Sequence, residues 1–214
     1  MEKTLYVTIY KRLRCVSISK GKIMKLPDRE GVYIYREGDW IRVSLEGPYV
    51  PDADGIYVLY FRNFKCSGCR AFDNTWLKFV DEQGSIYNFV MIQCSNFFFE
   101  CNDVAASDSF VFYLIFETPQ VLIVVVENGI PIYIEREVGV LSLETLRDFV
   151  FNVRDRMSKV QVEEEEGLKE EESIYIDFAS KNWKEITEKL KKIIYEGRIP
   201  REVCTEYGCR IVIE

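Results

Sequence analysis

The chain has 214 residues, a formal net charge of −7 and no histidine, and 48% of its residues are hydrophobic and 14% aromatic. That balance is globular rather than disordered. The negative charge argues against a nucleic-acid-binding surface, and the lack of histidine excludes histidine-assisted serine or cysteine hydrolase chemistry.

In chain order, residues 1–8 carry neither an apolar run nor a small-residue cleavage pattern, so no secretory signal is expected and the setting reads as cytoplasmic. Residues 5–10 and 15–18 are short β-rich runs. Residues 31–35 and 40–45, joined by Arg36-Glu37-Gly38-Asp39, predict a hairpin. The turn-rich stretch 47–55 marks a boundary, which makes residues 1–50 a β-rich N-terminal segment. Residues 56–61 are all apolar or aromatic and predict a buried strand. Phe72, Trp76, Leu77 and Val80 have helical spacing, with Asp73, Asn74, Lys78 and Asp81 turned outward and Gly84 as the C-terminal cap. Residues 86–92 are the next strand. A second helix is expected from Val104 or Ser109, after an irregular aromatic stretch.

Residues 121–126 predict another buried strand, turned by Asn128-Gly129 into an antiparallel partner over 130–134. Ser142 is a good N-cap for a helix whose apolar stripe is Leu143, Leu146, Phe149, Val150, Val153 and Met157. The acidic runs 163–166 and 170–172 read as a solvated linker over 161–173. Residues 174–214 then form a β-α-β extension. Its parts are a strand at 174–178, a helix capped by Ser180 that carries Trp183, Ile186, Leu190, Ile193 and Ile194 on one face, and a strand at 210–213. The most apolar window, 110–126, is interrupted by Glu117 and Pro119 and reads as core, not a membrane span.

Cys66-Ser67-Gly68-Cys69 lies between the strand at 56–61 and the helix that follows. A C-x-x-C pair at such a junction puts its first sulfur at a helix N-terminus, where unpaired N–H groups and the helix dipole favour a thiolate. Lys65 and Arg70 flank the pair; their charge either adds to that effect or is ordinary solvated charge.

From residue 55 to about 157 the order is strand, C-x-x-C, helix, strand, helix, Thr118-Pro119, strand, Asn-Gly turn, strand, helix. This resembles the thioredoxin-like superfamily. The resemblance implies an α/β fold, a three-layer α/β/α arrangement with a mixed central sheet over 51–160. It also implies that Pro119 is cis beside the cysteine pair and that Thr118 offers its backbone to an extended substrate segment. Carried over, Cys66 is the attacking thiolate and Cys69 the resolving thiol of a thiol–disulfide oxidoreductase. Its partners would be protein thiols or disulfides and a reductant or oxidant of unknown identity, with no cofactor, no nucleic acid and no membrane. The sequence departs from thioredoxin at Lys65, at Ser67-Gly68 and at Tyr60, which stands about where thioredoxins keep a buried aspartate.

Seven cysteines fit an intracellular chain best if it comes from a thermophile. Cys204 and Cys209 read as a structural disulfide closing a short turn, with a second redox site as the alternative. Cys94 and Cys101 can pair if the phenylalanines between them form a loop, and Cys15 is left as a buried free thiol. A structural zinc site needs four ligands, and the close second pair, Cys204/Cys209, has x4 spacing, so no metal is expected. The rival to the enzyme is a non-catalytic binding module with structural disulfides. Exposed strand edges in the terminal segments leave a homodimer open.

Overall fold

The computed structural model describes residues 24–164, 181–196, 200–205 and 208–213. The runs expected at 5–10, 15–18 and 174–178, together with Cys15 and Ser180, lie outside them.

The first hairpin forms as the sequence implies. Strands β1 (Gly31–Arg36) and β2 (Asp39–Val43) are antiparallel. They meet at Glu37 and Gly38, which both hold positive φ, as a twisted two-residue turn requires. β3 (Gly55–Asn63) runs from half-buried to fully buried and leads into α1 (Ser67–Gln83). β4 (Asn88–Cys94) and α2 (Val104–Phe112) follow, the helix capped by Asp103, whose carboxylate accepts from the Ala106 N–H at 2.8 Å. Next come β5 (Glu117–Thr118), β6 (Gln120–Glu127) and β7 (Ile130–Val138), the last two joined by Asn128 and Gly129 at positive φ.

The single helix expected from Ser142 to Met157 is broken. Ser142 caps α3 (Leu143–Phe151), Asn152 ends it, and α4 (Val153–Glu164) starts afresh. α4 therefore takes up the first acidic residues of the expected linker. α5 (Trp183–Tyr195) precedes a hairpin of β8 (Pro200–Cys204) and β9 (Cys209–Ile213). β5 and β8 have no counterpart in the sequence reading.

The fold is mixed α/β. Six strands form one mixed sheet in the order β2-β1-β4-β3-β6-β7, with β3 parallel to β4 and antiparallel to β6. The sheet is wider than its middle strands alone because β1 pairs antiparallel with β4. Alternation along the buried strands divides the core in two. Val58, Tyr60, Phe89, Met91 and Ile123 pack with Phe72, Trp76 and Phe79 of α1 and with Leu146 and Phe149 of α3. Leu59, Phe61, Val90, Ile92 and Leu122 pack with Phe110 of α2 and Leu190 and Ile194 of α5. On α1, Phe79 is buried where Leu77 was expected, and Leu77 is only half-buried. A second sheet, β5-β9-β8, stands against the first at Thr118. Among the described residues no helix is long and apolar enough to cross a membrane.

Candidate functional site

Cys66 is the N-cap of α1 and keeps an extended backbone (φ −71°, ψ 119°) as the chain leaves β3. An N-cap side chain that can accept satisfies an otherwise unpaired amide of the first turn. Here the acceptor is sulfur: the Cys69 N–H donates to Cys66 Sγ at 3.2 Å. As a thiol, Cys66 lies 3.4 Å from the Thr118 carbonyl oxygen and donates to it. Both Cys66 and Cys69 are free thiols with no solvent-exposed surface.

The two thiols are pushed in opposite directions. A hydrogen bond from the Cys69 thiol, followed by the Cys69 amide, the Thr118 side chain and the Cys209 amide, lowers Cys66 to about 6 despite its burial. Burial drives Cys69 well above the ordinary thiol value, and the hydrogen bond and charge of Cys66 push the same way. Lys65 instead pairs with Glu100 at 3.2 Å, and Arg70 donates to the carbonyls of Phe64 and Lys65. The thiolate is held by local hydrogen bonds, not by these flanking cations.

The Thr118–Pro119 bond is cis. Asn63, at the end of β3, steadies this corner. Its side-chain amide donates to Thr118 Oγ1 at 3.2 Å, and its oxygen accepts from the Phe97 N–H at 3.1 Å. Thr118 and Pro119 thus stand beside Cys66, which the structure brings together with Cys69 as one cluster.

The buried polar cluster beneath the pair was legible in the sequence only at Tyr60. Tyr60, fully buried, donates its hydroxyl toward the Cys69 carbonyl (3.2 Å) and toward Asp73 (3.0 Å). Asp73, expected to point outward, pairs with Arg62 at 2.7 Å, and Arg62 also donates to Gln93 at 2.8 Å. Burial raises the Asp73 carboxyl even so, against the lowering charge of Arg62. The available signal was Arg62 itself, a cation ending an otherwise apolar strand. A charge in that position needs a partner.

The C-terminal hairpin was not expected here. Cys204 and Cys209 form a disulfide, as do Cys94 and Cys101. β9 pairs antiparallel with β5, so that Cys209 stands opposite Thr118 and Arg210 opposite Glu117. A cleft of about 400 Å³ opens between Thr118, Val138 and Gly139 on one side and Val203, Gly208 and Arg210 on the other. Neither Cys66 nor Cys69 is among its walls. Among the described residues, no group of three or more cysteine or carboxylate side chains is arranged to hold a metal ion. Compared with known proteins, the chain matches no family model and no curated protein sequence.

Proposed function

We propose that this protein is a thiol–disulfide oxidoreductase on a thioredoxin-like, three-layer frame, working through Cys66 and Cys69. The observation that carries the reading is the split between the two thiols: Cys66 lowered to about 6 at a helix N-cap, Cys69 raised by burial three residues further along in the same turn. Exchange needs one sulfur that is a thiolate at neutral pH and one that keeps its proton until a mixed disulfide has formed. The cis Thr118–Pro119 corner next to Cys66, and a mixed sheet with helices packed on two sides of its core, support the same reading.

In the reaction, the Cys66 thiolate attacks a substrate disulfide and one substrate sulfur leaves as a thiolate. Cys69 then attacks Cys66, gives up its proton to the second departing sulfur, and closes the Cys66–Cys69 bond. The reverse sequence oxidises a substrate dithiol. Protein disulfides are the proposed substrates, a cytoplasmic setting is part of the same proposal, and an external reductant or oxidant completes the cycle.

The alternative is a binding module without catalysis. One observation favours it: Cys66 has no exposed surface. Dithiothreitol-dependent reduction of insulin separates the two. The enzyme reading expects turnover that is lost in Cys66→Ser and a mixed disulfide that accumulates in Cys69→Ser. No turnover by the parent protein favours the module.

A further inference from the structure

The hairpin of β8 and β9 covers the thiol pair and itself carries a disulfide. Two contacts seat it. Cys209 is the register partner of Thr118. Ser67 Oγ, in the first turn of α1, donates to the Thr205 carbonyl at 2.9 Å. The approach is close enough that a Cβ at Gly208 would overlap the Thr118 carbonyl oxygen. Cys209 is 2% exposed and belongs to the same buried cluster as Cys66 and Cys69, whereas Cys204 faces solvent.

An extended segment lying antiparallel on Thr118, with a disulfide sulfur at the paired position, is what a bound disulfide substrate would present. We infer that the Cys204–Cys209 disulfide is an intramolecular substrate of Cys66, so that the two pairs form a relay within one chain. The inference rests on the proposed redox role of Cys66 and Cys69 and names the first disulfide they act on.

The exchange balances within the chain. The Cys66 thiolate attacks Cys209 Sγ. The Cys66–Cys209 bond forms, the Cys204–Cys209 bond breaks, and its electron pair leaves on Cys204 as a thiolate. Cys69 then attacks Cys66 Sγ. The Cys66–Cys69 bond forms, the Cys66–Cys209 bond breaks, and the Cys69 proton passes to the departing Cys209 sulfur. The Cys66/Cys69 dithiol is oxidised by two electrons and the hairpin disulfide is reduced by two.

Two double variants test the register. Of the four cysteines in the two pairs, Cys69→Ser/Cys204→Ser leaves Cys66 and Cys209, and Cys69→Ser/Cys209→Ser leaves Cys66 and Cys204. Each is reduced, mixed with oxidised glutathione, quenched by alkylation and mapped as linked peptides by mass spectrometry. The relay expects the Cys66–Cys209 bond to form at least about tenfold faster than the Cys66–Cys204 bond, since only the first pair is held in place. If a double variant does not fold, the single variant Cys69→Ser keeps the test. There a Cys66–Cys209 peptide with an alkylated Cys204 supports the relay, and a Cys204–Cys209 peptide alone overturns it. Equal or reversed rates in the double variants, while the parent reduces insulin through Cys66, overturn the relay and leave the proposed function standing. No Cys66-dependent reduction of insulin overturns both.

Discussion

Cys66 concentrates most of the chemistry in one atom. Its sulfur caps a helix, faces the Thr118 carbonyl and receives the amide N–H of Cys69. The hydrogen bond from the Cys69 thiol, with the Cys69 amide behind it, favours the anion and lowers the pKa from 9.0 to about 6 against burial. The sign is that of a depressed acid. Stability contributed by the Cys66 thiolate is fully present above pH 9 and is lost as pH falls toward 6. Reactivity follows the same curve. Alkylation of Cys66 by iodoacetamide in the reduced protein should rise about tenfold per pH unit below pH 6 and level off above it. The slope carries the information, since coverage by the hairpin scales the absolute rate. A midpoint near 9 would show that the hydrogen bonds do not act as described. The sequence made Cys66, Cys69 and Pro119 legible because the C-x-x-C and Thr-Pro signals are local. It hid the tie of Tyr60 to Arg62 and Asp73, because what makes them a unit is contact between β3 and α1 rather than spacing along either.

At the scale of elements, strands and helices with strong periodicity were readable. The all-apolar run that became β3, the run that became β6, and the Asn-Gly turn into β7 all fall where the pattern predicted them. The break at Asn152 did not, because the apolar stripe continues across it and only the Asn152 conformation ends α3. β5 did not either. Two residues carry no period, and its pairing joins Thr118 to Cys209, far apart in the chain. That pairing depends on Gly208. Gly208→Ala is expected to push the hairpin off Thr118 and uncover Cys66, without removing any group that titrates or reacts. Overpacking of this kind costs about 1–3 kcal/mol, so Cys66 alkylation should speed up on the order of tenfold or more. An unchanged rate would mean that the hairpin does not control access.

For the molecule as a whole, α5 is the element that carries the C-terminal segment back to the core. Leu190 and Ile194 join the buried cluster around α2, and Trp183 meets Phe112 edge-on at 5.7 Å. Lys191 pairs with Asp108 at 2.6 Å, and Asp108 is 4% exposed. Removing the cation strands a buried carboxylate. Lys191→Met keeps the side-chain stem but should cost about 2 kcal/mol, less than a fully buried pair because Lys191 is partly exposed. Urea denaturation measures it, and a loss within about 0.5 kcal/mol would mean water already screens the pair. The sequence disclosed the apolar face of α5 but not its destination, since an amphipathic stripe says that a face is buried and not against what.

Both disulfides are local, closing spans of seven and five positions, so neither ties residues 181–213 to the rest of the described chain. Apart from chain continuity, helix α5 and the cysteine hairpin are therefore held by noncovalent contacts: packing, the β5–β9 pairing, the Ser67–Thr205 hydrogen bond and the Lys191–Asp108 ion pair. A unit held in this way is exchangeable between copies. A protease site inserted between residues 164 and 181 should, once cut, leave two fragments that co-elute under native conditions and part in urea. Mixing a Cys204→Ser chain with the parent at high concentration should then yield hybrid dimers, in which one molecule's hairpin lies on another molecule's Thr118.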